Sequence, residues 1–489
     1  MQIGSLIRRA SIHYGDAPCL TEDARTLSFR EFDAATDRLG NALIQMGFQK
    51  GDRVAVILPN SIDCLIAYYA IAKAGLVRVQ LNVKETLENH LYKIGDSGAR
   101  GVIHAGIDGI RASGGEIYID QDQLAVMMAE GHAAPCSIDR ALDDPFRLGY
   151  TGGTTGKSKA VTLTTRTDLV ELSAFLADLV PELYEGAKFI HAAPIAHASG
   201  AFFLPSLVRG VHSLVMTKFD VSEFVKLAEG SRAEFTFLVP TMLAMILDEE
   251  AIHRATTNFK RIAYGASSIS PSLVKRAEAR FGKVLAQCYG QAESPMCITY
   301  LRPEDHGRVG SCGRPFSMVE AAIFDENDNP LPPGERGEIV CRGPQTMAYY
   351  WNRPEQTAEA FRNGWLHTGD VGVMDDDGFF YIVDRKNDML ISGGYNVYPR
   401  EVEDVLLDFP GAVEAAVVGL PDERWGDRVV AVIASKSDLD PEAILAFARD
   451  KLAPFKRPKE IHIWRELPKS AANKILRRTV RDTLLGEKK

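Results

Sequence analysis

The run Tyr150-Thr-Gly-Gly-Thr-Thr-Gly-Lys-Ser-Lys159 has the composition of a phosphate cradle. Glycines let main-chain N–H groups approach phosphate oxygens closely, and threonine hydroxyls and lysines add donors and charge. It is not a Walker A loop, because G-x-x-x-x-G-K-[ST] requires glycine where the chain has Thr151. Alone, it reads more readily as a flexible surface turn. Six more segments follow in order: Pro194-Ile-Ala-His-Ala-Ser-Gly200, Tyr264-Gly-Ala-Ser-Ser268, Tyr289-Gly-Gln-Ala-Glu293, Trp365-Leu-His-Thr-Gly-Asp370, the stretch from Asp384-Arg-Lys-Asn387 to Tyr398-Pro-Arg-Glu-Val-Glu403, and Leu467-Pro-Lys-Ser-Ala-Ala-Asn-Lys-Ile-Leu-Arg-Arg478. Each has a bland reading by itself. Tyr289 is then a core aromatic, Asp370 a turn aspartate, Arg385 a surface arginine and Lys474 a solvated lysine in a basic tail.

Strands and helices must position these residues. Phe32, Leu39, Leu43 and Met46 at helical spacing predict a helix over 26–47, stopping at Gly47. Arg53-Val-Ala-Val-Ile-Leu58 reads as a buried strand, 61–74 as a helix stopped by Gly75, and Leu76-Val-Arg-Val-Gln-Leu81 as a second strand. Strand–helix–strand order at this pitch predicts a parallel sheet covered by helices. The rhythm returns with strands over 189–193, 234–239 and 260–264. Between 308 and 384 short strands (319–324, 337–341, 379–383) alternate with turn clusters such as Asp328-Asn-Pro330 and Asp375-Asp-Asp-Gly378, which reads as a β-rich antiparallel subdomain. A helix over 401–407, strands over 413–419 and 429–434 and a helix over 441–452 follow. The fold class is therefore α/β: a large N-terminal body of helix-covered β-sheets with a β-rich subdomain over 1–386, and a small mobile α+β C-terminal domain over 387–489.

A chain of 489 residues with 46% hydrophobic and 25% charged residues is an ordinary globular protein, too long for one core. Its net charge of −9 argues against a general nucleic-acid binder. The charge is uneven: residues 451–489 hold 12 basic and 4 acidic residues, suited either to a phosphorylated ligand or to plain solvation. Seven cysteines without a C-x-x-C pair point to reduced thiols in a cytoplasm and to no structural zinc. Neither a signal peptide nor an apolar run of membrane-spanning length is expected.

Taken in their order, the seven segments resemble the acyl-adenylate-forming superfamily: acyl- and aryl-CoA ligases, peptide-synthetase adenylation domains and beetle luciferases. The resemblance runs from about residue 25 to the end. It implies an enzyme that attacks the α-phosphorus of ATP with a carboxylate, giving acyl-AMP and pyrophosphate, and then forms a thioester. Such a transition state spreads negative charge over phosphoryl oxygens, so it needs placed cations and N–H donors more than proton transfer. By this resemblance Thr151, Gly152, Gly153, Thr154, Thr155, Gly156 and Lys157 hold the β and γ phosphates. Gly265, Ala266 and Ser267 lie along the adenine, with Tyr289, Gly290 and Gln291 beside it. Glu293 carries Mg²⁺, Asp370 and Arg385 take the ribose, and Lys474 meets the carboxylate and α-phosphate oxygens. The chain departs from the usual pattern at Gly152 (serine is usual), at Ala292 (threonine) and at the hinge, Asn387 (aspartate or lysine).

The same resemblance implies that the small domain rotates after adenylation, withdrawing Lys474 and bringing Gly393 and Gly394 to a tunnel for a pantetheine thiol. Trp425, Phe455, Arg457 and Lys459 match residues that meet the coenzyme A nucleotide in aryl-CoA ligases; Trp425 as a packed turn residue stays open. His197, with Phe175, Ala198, Ser199, Phe202, Tyr264, Gly290, Pro295 and Met296, is expected along the acid, although a core histidine is an equal reading of His197. None of these is lysine or arginine, so the acid's tail is expected to be uncharged, aromatic or medium aliphatic. A carrier protein in place of free coenzyme A, and a silent adenylate-binding sensor, remain as alternatives. Homodimers are common in the superfamily.

Overall fold

The computed structural model describes residues 2–151, 157–267, 269–469 and 475–486, Asn387 by its backbone only. The packing divides the chain into two compact units, Met1–Ala321 with Cys341–Leu366, and Ala322–Val340 with His367–Lys489. The architecture is the expected α/β class. The boundary expected between 386 and 387 lies within the second unit, in the short 3₁₀ turn Lys386–Asp388.

In the first unit a seven-stranded sheet runs Tyr349–Tyr350, Ala160–Thr164, Pro145–Tyr150, Val77–Gln80, Arg53–Ile57, Gly101–His104, Ile117–Ile119. Its centre is parallel, with Val54 opposite both Arg78 and Gly101, as the strand–helix–strand rhythm predicts. The helix Ile62–Lys73 between two of these strands is buried on every side, which suits its apolar sequence. Ser61 caps it by accepting from the Cys64 N–H. A second sheet places Leu285–Gln291, Arg261–Gly265, Phe235–Leu238, Lys188–His191 and His212–Val215 side by side in parallel. The helix expected from residue 26 starts later, at Phe29. Ser28 and Glu31 form a capping box there, and Arg25–Ser28 pairs with Pro18–Glu22 as a strand instead.

The second unit holds a sheet in the order Tyr395–Val397, Leu390–Ser392, Gly426–Ala434, Glu414–Asp422, with Glu460–Trp464 parallel to Gly426–Ala434. Alternate residues of the central hairpin serve two cores. Val417, Val429, Ala431 and Ile433 meet Val402, Leu406, Ile444 and Ala448 of two helices. Ala416, Val418, Val430 and Val432 meet Val480 and Leu484 of the last helix, Arg477–Gly486. The basic C-terminal stretch thus contains an amphipathic helix that closes the sheet's second face.

Three helices of the first unit meet at a buried ionic knot. The Lys73 ammonium lies 2.6 Å from Asp33 and 2.7 Å from Asp37, and Arg8 reaches Asp33 from outside at 2.6 Å. Removing one partner of such a knot leaves buried charge without compensation. Lys73→Met is expected to destabilise the first unit by about 3–5 kcal/mol in denaturant titration, and Lys73→Met with Asp33→Asn and Asp37→Asn should recover part of that loss.

Candidate active site

The expected nucleotide residues of the first unit sit at the ends of adjacent strands. Gly265 ends the strand Arg261–Gly265 opposite Cys288, so close that a Cβ would lie 2.5 Å from the Cys288 carbonyl oxygen. Ala266 follows with φ +70°, a left-handed conformation strained for a residue bearing a Cβ. Tyr289, Gly290 and Gln291 end the neighbouring strand, where the register shifts between Tyr289 and Gln291 before the chain turns back at Ser294. A Cβ on Gly290 would lie 2.5 Å from both Met296 N and Ser294 O. Tyr289 is buried. The Gln291 side-chain Nε2 is buried without an acceptor among the described residues, so a donor is left for a ligand.

Glu293 is 8% exposed. Its Oε1 accepts the Tyr350 hydroxyl at 2.7 Å, and Oε2 has no donor among the described residues. A buried carboxylate with one oxygen oriented and the other open fits a hard cation. No group of three or more metal-ligating side chains occurs among the described residues. A magnesium ion there would be held by Glu293 and would supply charge to phosphate oxygens.

At the glycine-rich loop, Gly152, Gly153, Thr154, Thr155 and Gly156 lie outside the described residues. Its two ends are joined by the Thr151 N–H donating to the Lys159 carbonyl at 3.0 Å. The Lys157 ammonium stands 5.1 Å from the Tyr92 ring centre, and the Tyr92 hydroxyl donates to the Ser158 carbonyl at 2.9 Å. The Lys159 ammonium stands 4.5 Å from the Tyr350 ring centre.

The residues expected along the acid divide into two groups. Phe175, Phe202, Tyr264, Ser199 and Pro295 are packed inside. Phe202 stacks among Phe175, Phe189 and Phe237 at 4.9–5.3 Å, and the Tyr264 hydroxyl is engaged by Gln287 and His306. His197, Ala198, Gly290 and Met296 keep access to solvent. Met296 has φ +54°, the second strained non-glycine residue of this region. His197 is exposed yet crowded: loss of solvation holds its imidazole below the ordinary histidine value, Glu85 pulls it back up and Lys93 lowers it further. A side chain both accessible and crowded lines a concavity. Beneath it, buried His191 joins Ser199 Oγ at 3.0 Å to Ser213 Oγ at 3.1 Å.

In the second unit the two expected ribose residues are cross-strand neighbours. Asp370 stands opposite Arg385, whose Nε is 3.6 Å from Asp370 Oδ1. Sequence reasoning missed what holds this turn. Glu338 accepts the Gly369 N–H at 3.0 Å, and the Thr368 hydroxyl donates to the Ile339 carbonyl at 2.6 Å. Across Asn387, Arg477 gathers Glu403 at 2.6 Å, Asp388 at 2.7 Å and Asp384 at 3.3 Å. Lys474, three residues earlier, lies outside the described residues.

The expected coenzyme A residues form one patch. Gly393 (φ +60°) donates its N–H to the Trp425 carbonyl, and a Cβ there would touch the indole at 3.2 Å. Lys459 lies 4.6 Å and Arg424 5.1 Å from the Trp425 ring centre. Desolvation, then Arg457 and Arg424, lower the Lys459 pKa. Phe455 stacks on Tyr395 at 4.7 Å, next to Gly394, and Arg457 donates to the Leu452 carbonyl.

The AMP-binding enzyme family matches residues 7–351, and the AMP-binding enzyme C-terminal domain matches residues 401–474. The chain belongs to this family. It is 41% identical to a medium/long-chain-fatty-acid–CoA ligase of Mycobacterium tuberculosis over 71% of this chain and 62% of that ligase, less than two thirds of the relative's length. It is 34% identical to a feruloyl-CoA synthase of Amycolatopsis over 97% of each chain. The solved o-succinylbenzoate coenzyme A synthetase of Bacillus subtilis, in complex with ATP and magnesium ion, superposes with a TM-score of 0.89 at 29% identity, over 98% of this chain and 99% of that one.

His191 gives the first unit a pH dependence. Burial pushes its pKa from 6.5 down to about 4. Between these values the unfolded chain takes up a proton that the folded chain refuses, so stability present above pH 6.5 is lost as pH falls toward 4. Urea midpoints should fall across this range, and His191→Gln should flatten the slope by about 1.4 kcal/mol per pH unit.

Proposed function

We propose that this chain activates a carboxylic acid with an uncharged tail, aromatic or medium aliphatic, and passes the acyl group to free coenzyme A. The general activity is that of its family: it is an AMP-forming acid–CoA ligase using ATP, magnesium and coenzyme A. The observation that carries the proposal about the acid is its wall. The residues expected there are mostly apolar or small, and their two titratable members are both held toward the neutral form, the His197 imidazole and the Tyr264 phenol, each mainly by burial. A second carboxylate would find no cation among them.

In the first half-reaction the acid's carboxylate oxygen attacks the α-phosphorus and the bond to pyrophosphate breaks. Gly265, Ala266, Tyr289 and Gln291 hold the base, Asp370 accepts the ribose hydroxyls with Arg385 beside it, and Lys157 meets the outer phosphates. Glu293 holds magnesium, which when bound neutralises phosphate charge. Lys474 supplies a further cation to the α-phosphate and carboxylate oxygens. In the second half-reaction the residues beyond Asn387 turn, Lys474 leaves, and the thiol attacks the acyl carbon with AMP departing. Gly393 and Gly394 leave room for the pantetheine arm, and Trp425, Arg457 and Lys459 receive the nucleotide. The same reading includes a homodimer and a cytoplasmic setting, to which seven buried free thiols are suited.

Release of AMP from ATP and a panel of aromatic and C4–C12 acids should require coenzyme A and no protein partner. Acid-dependent pyrophosphate formation without that release would indicate a carrier-protein loader, and neither product a silent homologue. Lys474→Ala should slow adenylation by about two orders of magnitude or more and leave thioester formation from supplied acyl-AMP near the parent rate; equal loss in both steps would contradict the alternation. Asp370→Ala should raise the ATP KM, and an unchanged value would remove its ribose role.

A further inference from the structure

We propose that Tyr350 is a positioning residue that orients Glu293 for the metal of Mg–ATP while keeping that carboxylate's charge apart from the lysine at the end of the glycine-rich loop. The inference rests on the reading of Glu293 as the magnesium residue. Tyr350 arrives on a two-residue strand, Tyr349–Tyr350, that pairs antiparallel with Ala160–Thr164, the strand leading away from the loop. The Ala348 and Trp351 N–H groups donate to the Thr162 and Ala160 carbonyls at 2.9 and 2.8 Å. The same segment fastens the main chain at Glu293, whose carbonyl accepts the Met347 N–H at 2.7 Å. The phenol is therefore fixed with respect to both the strand that leaves the loop and the carboxylate.

Its two faces do different work. The hydroxyl donates to Glu293 Oε1 at 2.7 Å, while the ring carries the Lys159 ammonium 4.5 Å from its centre. No ion pair joins Lys159 to Glu293 among the described residues. A direct pair would cancel the charge that each needs, one for a cation and the other for phosphate oxygens. A neutral phenol orients the carboxylate without neutralising it, and the aromatic face seats the ammonium without consuming its donors.

The test is ATP binding by calorimetry, with neither acid nor coenzyme A present, across a magnesium titration. Tyr350→Phe keeps the ring and removes the hydroxyl. The magnesium concentration that half-maximally tightens ATP binding should rise about ten-fold, with ATP affinity in EDTA unchanged. Glu293→Gln should abolish the magnesium dependence, and adding Tyr350→Phe to it should change nothing further. Lys159→Gln should weaken ATP binding equally with and without magnesium and leave the midpoint in place. A parent midpoint in Tyr350→Phe beside a lost dependence in Glu293→Gln would overturn the inference and leave the Glu293 reading standing. Retained dependence in Glu293→Gln would overturn both. Equal weakening by Tyr350→Phe with and without magnesium, or a midpoint shift in Lys159→Gln, would reduce Tyr350 to a structural residue and overturn the inference.

Discussion

A single close approach of backbone to backbone, at Gly290, sets the geometry of the residues expected beside the nucleotide in the first unit. No side chain fits where a Cβ would stand 2.5 Å from Ser294 O and Met296 N. This contact lets the strand ending in Gln291 fold back within a few residues. Tyr289 and Gln291 are thereby placed before the bend, Glu293 at it and Met296 just beyond, at φ +54°. The strain at Met296 and at Ala266 is held by the parallel sheet behind, where Gly265 and Cys288 are paired. Rigid strands thus deliver side chains at their ends and at the bend between them.

Charge is handled by separation. Structural charges are paired and buried, as in the knot of Lys73 with Asp33 and Asp37. Charges expected to meet substrate are instead oriented by neutral groups or aromatic faces: Glu293 by a phenol, Lys157 and Lys159 by tyrosine rings, Lys459 by an indole. A cation on an aromatic face keeps its donors free, which an ion pair would not allow. Arg477 belongs to the structural class, since its three carboxylates leave it no capacity for a phosphate.

Much of this was legible in the sequence because it is local. Parallel strands announced themselves as apolar runs between helices, and the glycine and threonine motifs gave the expected nucleotide residues in order. The structure does pair Asp370 with Arg385 and gathers Gly393, Trp425 and Lys459 in one patch. What was not legible depends on contacts far apart in sequence. Tyr350 lies 57 residues from Glu293 and sits on a strand too short for any alternation to show. Glu338 meets Gly369 across 31 residues. The late start of the helix at Phe29 was written locally, in Ser28 and Glu31, but the apolar spacing ran past it. The basic tail hid a helix because Val480 and Leu484 are its only buried residues.

The measurement closest to the central claim is acid-dependent exchange of labelled pyrophosphate into ATP by Gly290→Ala, with the folded state verified by thermal unfolding. If the close approach sets the site, displacement of the bend by about an ångström should lower the exchange rate about 100-fold in a protein that still unfolds cooperatively. Exchange near the parent rate in a folded Gly290→Ala protein would contradict the account.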